Sequence, residues 1–600
     1  KLGMSRIGHH LHVHTFHALA KICMGSRLDD VPTELWETMF LHFLQNNAAE
    51  FRGIFAQIEY VLGDEFQDIT RDRLLSLLEI KKIYPDVKFF TIGDKNQSIY
   101  GFDRLPKDNN GHTQTINNPA TYAAWLNPDA YYKKLDDELH PTQLTMFTNY
   151  RSYQKILDSS ADFIPAGSDM PVSASTLMAH EPQEPYTVFS DSSSSWTDDL
   201  LLYINNVQEQ NEIARSNEDE HTLIKNIAVF FRTNNEVYRG YADIRSRVPE
   251  DVRIRIQGAS TCELWREREV YDLIHFLNQH PDTELLLDDD KTARGMKDFL
   301  KKKMEDNPSW DAYNIDLAYT IVLNYLESIR SDESIHSYSD LANYILEVAG
   351  KDDGGQVYKI YDRYKEQRIL QEDALTVILT TMHKVKGLEF DAVFITSSSL
   401  SLPMRPHHAY GIGQELQLDD KADIEEERRL MFVAYTRAKK YLHVYKGQRE
   451  IAIEEANQVY LPVNDGVIVY TERDPGMNKY YLSQNVKEGC FSKNKIIADT
   501  VKKDNEVIIV ADNYGRYYVQ HGNEFVGRLS SVSDIARQAN ANGIKKLKGF
   551  FVSDVSVWTY EDTLKSDGAK GTHFAEEWCE AARKFGYIYV VQIAGFGTPA

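Results

Sequence analysis

The chain has 600 residues, 42% hydrophobic and 26% charged, a composition typical of a globular protein with about three to five compact units. Its net charge of −23 argues against a protein that coats nucleic acid indiscriminately, although a local basic track on an acidic surface would still bind it. No apolar run approaches the ~20 residues needed to cross a bilayer, and no signal peptide is recognisable, so we expect no membrane partner.

The cysteines also restrict the class of protein. Cys23, Cys262, Cys490 and Cys579 are widely separated and form no Cys-x-x-Cys pair. Neither a disulfide framework nor a zinc ribbon is therefore expected. This usage favours a reducing compartment, which is the cytoplasm, or the nucleus if the source is eukaryotic.

The first predicted elements alternate between strand and helix. Asp64 and Glu65 stand at the carboxyl end of one of these strands, the position of functional residues in doubly wound parallel sheets. In chain order the elements are a strand at 8–17 entering a helix at Ala18, a strand at Ile58–Leu62, a helix at Arg71–Lys82 and a strand at Val87–Ile92.

The middle of the chain divides into three parts. Residues 105–140 are rich in Asn, Pro and Asp and predict a loop-dominated insertion. A second α/β part begins near Gln143, and residues 281–374 have the helical spacing and high charge of an inserted helical subdomain. The strands predicted around that insertion are Leu144–Met146, Ile227–Phe231, Leu375–Leu379, Ala392–Ile395 and Tyr441–Val444.

Beyond residue 450 the pattern predicts a small α+β module with Asn-Tyr-Gly and His-Gly-Asn turns. No motif in it indicates a function. Tyr514, Arg516, Tyr517 and Tyr518 fit a protein or nucleic-acid partner, and hairpin packing explains them equally well. The predicted strands are Val507–Val510, Tyr517–Gln520, Glu524–Arg528, Gly549–Val552 and Tyr587–Ile593, with helices at Ser533–Asn540 and His573–Phe585.

Asp64-Glu65-Phe66-Gln67-Asp68 places paired carboxylates after an apolar strand. In nucleotide hydrolases that carry such a carboxylate pair, the first carboxylate holds Mg²⁺ and the second polarises the attacking water. An acidic surface loop is the usual explanation for a bare Asp-Glu pair. The preceding strand and the Phe-Gln-Asp that follows favour the catalytic interpretation.

The segment Gly93–Arg104 joins a polar residue to two aromatic ones. The amide of Gln97 suits a hydrogen bond to a terminal phosphate or to attacking water. Tyr100 and Phe102 offer flat faces on which unpaired bases stack, and core packing is the alternative for both.

Two further motifs supply cations. In Asn149-Tyr150-Arg151-Ser152, Tyr150 can stack on adenine and Arg151 can reach a γ-phosphate. Arg437, in Ala434-Tyr435-Thr436-Arg437-Ala438, is a second candidate, since such an arginine stabilises charge that develops in phosphoryl transfer. An arginine on an ordinary helix is more often solvated, and only the Glu-Glu-Arg-Arg-Leu lead-in at 426–430 favours a catalytic role.

Thr381, His383 and Lys386 follow a predicted strand and suit a contact with a DNA phosphate, and Glu389 in the next turn suits a ribose hydroxyl. A loop-to-helix junction is the structural alternative. Near the amino end are histidines at 9, 10, 12, 14 and 17. His10, His12 and His14 would share one face of a strand, which permits a metal site, but no carboxylate or cysteine stands nearby. A DNA-contacting loop at Thr15-Phe16-His17 is the favoured interpretation.

In this order, the motifs closely resemble those of the UvrD/Rep family of superfamily 1 DNA helicases, over residues 12–446. The resemblance implies two RecA-like motor domains with ATP between them, single-stranded DNA across them, and 3′-to-5′ movement. It implies that Asp64 binds Mg²⁺, that Glu65 activates water, and that Gln97, Arg151 and Arg437 contact the γ-phosphate. Adenine then stacks on Tyr150, with Glu389 on the ribose. The resemblance also implies that DNA contacts eight residues: Thr15, Phe16, His17, Tyr100, Phe102, Thr381, His383 and Lys386.

The resulting fold class is α/β: two RecA-like doubly wound parallel-sheet motor domains with a small helical insertion and a C-terminal α+β module. The predicted divisions are 1–140 for the first motor domain, 141–280 and 375–449 for the second, 281–374 for the insertion, and 450–600 for the module. The substrate expected from the resemblance is single-stranded DNA or a 3′-tailed duplex, with ATP and Mg²⁺ as cofactors.

One family motif is missing, because the sequence contains no G-x-x-x-x-G-K-[ST] phosphate loop. The chain also begins at Lys1, so we expect a helicase shown without its first motif and inactive as an ATPase by itself. Where relatives have Arg-Gly after the aromatic residues, this chain has Asp103-Arg104. The alternative is a non-catalytic nucleic-acid-binding or scaffolding protein on a degenerate helicase fold.

Overall fold

A computed structural model gives the fold over much of the chain, in two compact units. The first comprises residues 1–192 and 397–448, and the second comprises 193–396 and 449–600. The described residues are 14–29, 31–114, 127–163, 178–180, 186–191, 195–219, 222–232, 234–245, 247–249, 251–257, 264–285, 291–307, 309–330, 335–350, 356–364, 367–369, 375–396, 421–446, 461–462, 468–470, 497, 499–529, 534–559 and 587–600.

Helices and strands alternate through much of this chain. The helices are α1 (Phe16–Met24), α2 (Trp36–Asn46), α3 (Ala48–Ile54), α4 (Arg71–Ile83), α5 (Asp129–Leu139), α6 (Gln154–Ser160), α7 (Trp196–Ser216), α8 (Asn234–Ile244), α9 (Arg268–Gln279), α10 (Lys291–Asp306), α11 (Ala312–Ser328), α12 (Tyr338–Gly350), α13 (Gln356–Arg363), α14 (Lys421–Tyr435) and α15 (Asp534–Ala541). The strands are β1 (Tyr60–Gly63), β2 (Lys88–Thr91), β3 (Thr148–Asn149), β4 (Met178–Ala179), β5 (Tyr186–Asp191), β6 (Asn226–Phe231), β7 (Arg253–Ile256), β8 (Thr376–Thr381), β9 (Phe390–Ile395), β10 (Ala438–Lys446), β11 (Leu461–Pro462), β12 (Ile468–Tyr470), β13 (Glu506–Ala511), β14 (Tyr517–His521), β15 (Glu524–Leu529), β16 (Lys546–Thr559) and β17 (Tyr587–Pro599).

In the first unit, β1 and β2 form a parallel pair joined by helix α4. The Thr70 side chain caps α4 by accepting a hydrogen bond from the Arg73 backbone N–H. Leu74, Leu77 and Leu78 then recur at helical spacing and are buried on one side of the helix. Each fully buried leucine contributes about 1.5–3 kcal/mol to folding, so this face of α4 holds the crossover against the pair of strands.

The second unit contains a parallel sheet in the order β9-β6-β8-β7. Strand β9 is buried at every residue and β6 at nearly every one, which is typical of a parallel sheet covered on both faces. The predicted parallel α/β class is thereby confirmed. Helices α9 to α13 follow β7 in the chain and share a core that includes Leu273, Ile321 and Leu341.

The C-terminal part of the second unit is a closed antiparallel barrel. Its strands pair in the ring β12-β15-β14-β13-β16-β17, and β17 returns to pair with β12. Closure leaves no strand edge within that ring. Strand β16 spans 14 residues, much longer than the Gly549–Val552 strand expected from sequence. Asp554 and Ser556 interrupt the apolar pattern, although both are buried in the structure.

Buried charges connect this barrel to the helices of the same unit. Arg268, only 2% exposed, donates to the carbonyl oxygens of Ile497, Val501 and Ser309. The backbone of Glu267 pairs with that of Ser556 in β16 as an isolated antiparallel β-bridge. Burial beside Asp554 raises the pKa of Glu267 well above its usual range, and burial also raises the pKa of Asp554, to about 6. The barrel is therefore an integral part of the second unit.

One expected strand is wrong, and the predicted loop-dominated insertion contains one helix. Residues 105–140 include helix α5, because Pro128 precedes it and Tyr131 and Leu135, four residues apart, are buried together. No strand forms at Leu144–Met146, where the apolar side chains of Leu144 and Met146 are 83% and 74% exposed. The sequence analysis also missed α2 and α3 between the first helix and β1.

Some expectations fall outside the described residues. These are the helix at His573–Phe585 and the histidines at 9, 10 and 12. Within the described ranges, the structure has no group of three or more His, Cys, Asp or Glu placed to hold a metal ion. Among the described residues, no helix combines the length and the apolarity required to traverse a bilayer.

Candidate functional site

The site in the first unit is built on the carboxyl ends of β1 and β2. Because the two strands are parallel, the residues after each meet at one edge. The pairing continues past the strands, since the Ile92 N–H donates to the Gly63 carbonyl at 2.8 Å and the Phe66 N–H donates to the Ile92 carbonyl at 2.9 Å. This brings Asp64 and Glu65 beside Asp94.

Glu65 has an unusual backbone conformation. Its φ of 50° and ψ of 40° lie in the left-handed region, which costs a residue with a side chain about 1–2 kcal/mol. The Glu65 N–H donates to Asp64 Oδ1 at 2.9 Å, which links the two carboxylate residues. Both side chains are exposed. Strain of this kind occurs mainly where the surrounding structure holds a functional residue in place.

Gln67 connects the two strand ends. It is 1% exposed, its amide Nε2 donates to Glu65 Oε2, and its Oε1 accepts from the Asp94 N–H at 3.0 Å. A Cβ added at Gly93 would lie 2.7 Å from Gln67 Oε1, so only glycine allows this approach. The sequence analysis included Gln67 in the acidic motif and assigned it no role.

Gln97 and Arg437 continue the connection. Gln97 Nε2 donates to Asp94 Oδ2 at 2.9 Å, and Arg437 Nη2 donates to Gln97 Oε1 at 3.2 Å. Hydrogen bonds therefore run without a break from Glu65 through Gln67, Asp94 and Gln97 to Arg437. The Arg437 side chain is 1% exposed, and its Nε also donates to the Val433 carbonyl at 3.0 Å, which fixes the guanidinium.

Arg151 lies next to this chain of hydrogen bonds. Its Nη1 donates to the Thr436 carbonyl at 3.3 Å, one residue before Arg437. Asn149 Oδ1 accepts from the backbone N–H groups of Arg151 and Ser152, and Ser152 Oγ donates to the Ala438 carbonyl at 2.6 Å. The Asn-Tyr-Arg-Ser motif is thus folded against the Tyr-Thr-Arg-Ala motif within the first unit.

Tyr150 projects from the same turn and is 78% exposed. Its ring lies 4.8 Å from the ring of His180 at an angle of 32°. Core packing does not explain an aromatic side chain this exposed. The turn therefore presents a flat ring beside Arg151.

Two buried arginines that were given no role in the sequence analysis support the site. Arg104 donates to the carbonyls of Gln67 and Ile69 and, at 2.7 Å, to Ser98 Oγ. Arg429 Nε donates to the Ser98 carbonyl at 2.7 Å. Burial lowers the pKa of Arg104. The signal for Arg429 was its place in Glu-Glu-Arg-Arg-Leu, and nothing in the sequence indicated that Arg104 is buried.

Replacing Arg104 by methionine should lower the free energy of unfolding by about 3–5 kcal/mol, because removing one partner of a buried charged hydrogen-bond network leaves the others unsatisfied. Urea unfolding followed by fluorescence measures this. Arg27→Met, at an exposed arginine of the same unit, is the matched control and should change stability by less than about 1 kcal/mol. An equal loss in both variants would contradict the structural role.

The other residues predicted to meet DNA in this unit make internal contacts. Thr15 Oγ1 accepts from the Ala18 N–H and caps α1, which begins at Phe16, two residues before the start expected at Ala18. The guanidinium of Arg73 lies 5.7 Å from the ring of Phe16. His17 Nε2 lies 3.1 Å from the Thr33 carbonyl oxygen.

Tyr100 and Phe102 follow Gln97 in the chain. Tyr100 is partly buried, and Phe102 lies in a 3₁₀ turn from Gly101 to Arg104, with its side chain outside the described residues. Burial raises the pKa of Asp103 in that turn.

Four more predicted residues lie in the second unit: Thr381 is the last residue of β8, and His383, Lys386 and Glu389 follow that strand. Thr381 and Lys386 are each 7% exposed, and Glu389 is exposed. His383 Nδ1 lies 3.4 Å from Arg232 Nη1. Desolvation and the adjacent Arg232 lower the pKa of His383 to about 4, so its ring is neutral at pH 7 and offers a phosphate hydrogen bonds without a charge.

His383 should make the protein less stable in mild acid. Because folding lowers its pKa from 6.5 to about 4, the unfolded chain binds more protons there, and stability falls as the pH drops from about 6.5 to 4. Between pH 7 and pH 5, the urea concentration at the unfolding midpoint should therefore fall less for His383→Gln than for the wild-type protein. His42→Gln, at an exposed histidine, is the control and should follow the wild-type dependence.

Comparisons with known proteins match both ends of the motif region. The UvrD/REP helicase N-terminal domain matches residues 14–104, and the UvrD-like helicase C-terminal domain matches residues 362–449. The first match contains Asp64, Glu65 and Gln97, and the second contains Glu389 and Arg437. Residues 450–600 lie outside both matches.

Individual relatives are distant. A probable DNA helicase II homolog of Mycoplasma genitalium is 21% identical over 434 residues, covering 65% of this chain and 54% of that protein. The ATP-dependent DNA helicase PcrA of Staphylococcus epidermidis is 21% identical over 65% of this chain and 55% of its own. The putative ATP-dependent DNA helicase YjcD of Bacillus subtilis is 22% identical, with coverages of 65% and 52%. The chain spans about half the length of the curated relatives it matches.

Proposed function

We propose that this chain, which carries the N-terminal and C-terminal domains of UvrD-like helicases, forms part of an ATP-dependent motor that moves on single-stranded DNA. The observation that carries the proposal is the run of hydrogen bonds from Glu65 to Arg437. It joins an exposed acidic pair to a buried arginine through two amide side chains. A scaffold has no need for this arrangement, whereas phosphoryl transfer requires carboxylates and arginines around one triphosphate.

In this proposal each residue has a distinct task. Glu65 accepts a proton from the attacking water, Gln97 orients that water or the γ-phosphate, and Arg151 and Arg437 offset the charge on the departing oxygens. Tyr150 stacks on the adenine and Glu389 accepts from the ribose. Glu65 and Gln97 are connected to Arg437 by hydrogen bonds. A change at the γ-phosphate therefore alters the positions of all three side chains.

The donor set also fits Mg²⁺, which uses one or two carboxylates and takes its other ligands from phosphates and water. Asp64 is the carboxylate that would hold it, since it is exposed at the end of the strand, where phosphates and water can supply the remaining ligands. When bound, the ion neutralises charge on the β- and γ-phosphates.

The proposal also covers nucleic-acid contact and the direction of movement. The residues that would contact single-stranded DNA or a 3′-tailed duplex are Thr15, Phe16, His17, Tyr100 and Phe102 in the first unit and Thr381, His383 and Lys386 in the second. Movement from 3′ to 5′, and two RecA-like motor domains, are proposed from the family alone.

The motor requires a phosphate loop that these 600 residues do not contain. We therefore propose that the chain by itself is inactive as an ATPase. This absence also supports the second candidate, a non-catalytic binding or scaffolding protein on the same fold. Retention of Glu65, Gln97, Arg151 and Arg437 in one hydrogen-bonded arrangement favours the motor.

The test joins a strand and phosphate-loop segment ahead of Lys1 and measures ATP hydrolysis with and without a single-stranded oligonucleotide. DNA-stimulated hydrolysis well above background supports the motor. Hydrolysis at background, in a protein that still binds ATP and DNA, would favour the scaffold.

A further inference from the structure

The two ends of the C-terminal barrel differ in charge. At one end the turn before β14 adjoins the connection from α15 to β16, because the Ala511 N–H donates to the Lys545 carbonyl at 2.8 Å and a Cβ on Gly515 would lie 3.4 Å from Asn540 Oδ1. The adjoining segments, 512–519 and 534–549, contain five Lys or Arg and two Asp, and one of these, Asp512, pairs with Arg516.

The opposite end is acidic and already in contact with the rest of the second unit. Asp504 accepts a hydrogen bond from the Tyr241 hydroxyl, and Glu506 pairs with Arg245 at 3.1 Å. Asp554 lies 3.7 Å from Lys503. Acidic residues at this end of the barrel therefore contact helix α8 and Arg245 of the same unit.

Three lysines supply most of the positive charge at this end of the barrel. Lys545, Lys546 and Lys548 are exposed, and Lys546 and Lys548 flank the fully buried Leu547, so they share the outer face of β16. Among the described residues none of the three forms an ion pair with a carboxylate. Like charges this close together are stabilised by an anionic partner.

Tyr514 lies in the turn before β14, at the same end of the barrel as these lysines. It is 84% exposed, whereas Tyr517 and Tyr518 are 2% and 5% exposed and belong to the barrel wall. The guanidinium of Arg516 lies 5.1 Å from the Tyr514 ring centre, and Asp512 holds that guanidinium through a 2.6 Å hydrogen bond from Arg516 Nε. Packing explains the two buried tyrosines and leaves Tyr514 unexplained.

We propose that Tyr514, Arg516, Lys545, Lys546 and Lys548, here called the basic end, bind single-stranded nucleic acid. The lysines contact phosphates as point charges, and a base stacks on Tyr514, whose ring is supported by Arg516. An acidic polypeptide would satisfy the lysines and leave the exposed ring without a role. This surface lies outside both helicase domains, so it adds a second nucleic-acid contact to the proposed motor.

The test uses the full chain, without nucleotide, and the fluorescence anisotropy of a fluorescein-labelled oligothymidine at several salt concentrations. The triple variant K545E/K546E/K548E should bind at least tenfold more weakly. Its salt slope should fall by about 2, since each phosphate contact on single strands contributes about 0.7. K291E/K301E/K302E makes the same charge change at exposed lysines of α10 and should stay within twofold of wild type.

Tyr514→Ala should weaken binding by about 5- to 150-fold, the range for loss of one base stack, whereas Tyr514→Phe should stay close to wild type. Photocrosslinking to 5-iododeoxyuridine should label the peptide that contains Tyr514. Circular dichroism checks that each variant is folded.

Equal affinities for the two triple variants, or crosslinks found only elsewhere, would overturn the proposal. So would a chain that ignores the oligonucleotide but binds labelled polyglutamate through the same lysines, which would assign the basic end to an acidic protein. None of these outcomes depends on ATP hydrolysis, so the proposed motor function can be supported or disproved independently of this proposal.

Discussion

Replacing Glu65 by glutamine lowers the DNA-stimulated ATPase rate of the phosphate-loop-restored protein by about 10²–10⁴-fold, the usual contribution of a general base. The amide can still accept the hydrogen bond from Gln67 and cannot take a proton from water. The left-handed backbone at Glu65 and its bond to Asp64 should therefore survive the change. Steady-state turnover at saturating ATP and DNA measures the effect.

The matched control is Glu59→Gln, which makes the same change at an exposed glutamate just before β1. We expect it to retain nearly full activity. The Michaelis constant for ATP should change little in Glu65→Gln, because the general base acts on the water in the transition state and contributes little to binding. A Glu65→Gln variant with more than half of wild-type turnover would remove Glu65 from the reaction.

Replacing Arg437 by alanine in the same protein should lower turnover by about 10³–10⁵-fold, the range found for arginines that stabilise phosphoryl transfer. The buried guanidinium is held by Val433 and donates to Gln97, so it is preorganised for a developing negative charge. Turnover and the affinity for a fluorescent ATP analogue are measured on the same preparation. Affinity should fall far less than turnover.

Burial of Arg437 makes loss of folding the main competing explanation. Arg437→Lys keeps the charge and much of the volume but cannot reproduce a planar fork that donates from Nε and Nη2 at once. It should fold with a thermal midpoint close to wild type and still turn over at least 10²-fold more slowly. Full activity in the lysine variant would show that charge alone suffices.

The candidate site was largely predictable because its residues are tied to strand ends. Asp64 and Glu65 follow an apolar run, and Gln97 follows the next one in the chain. Once a parallel α/β pattern is recognised, the carboxyl ends of adjacent strands must meet. The contact between Gln97 and Arg437 joins residues 340 positions apart, and only the motifs around them indicated a relation.

The residues that support the site were not predictable. Arg104 and Arg429 are charged, and charged side chains are usually exposed, yet here they are 3% and 8% exposed. Their burial depends on carbonyl oxygens of Gln67, Ile69 and Ser98 that lie far away in sequence. A local pattern does not contain that information.

The same reason explains the errors in the fold. Helix α5 has only Tyr131 and Leu135 as buried apolar residues among many charges, and its partners lie on α4. Strand β16 is long because it pairs with β13 on one side and β17 on the other. Leu144 and Met146 are apolar and remain exposed, so local hydrophobicity alone misled the strand prediction.

By itself, the sequence determined the motifs, their order, the parallel α/β class and the positions of the acidic pair and the arginines, because these depend on residue type and short-range periodicity. Tertiary structure alone decided which polar groups became buried partners, how the C-terminal strands closed into a barrel, and that Tyr514 stayed exposed while Tyr517 and Tyr518 did not. Burial and pairing between distant segments set those outcomes, and their energies depend on neighbours that no local stretch of sequence specifies.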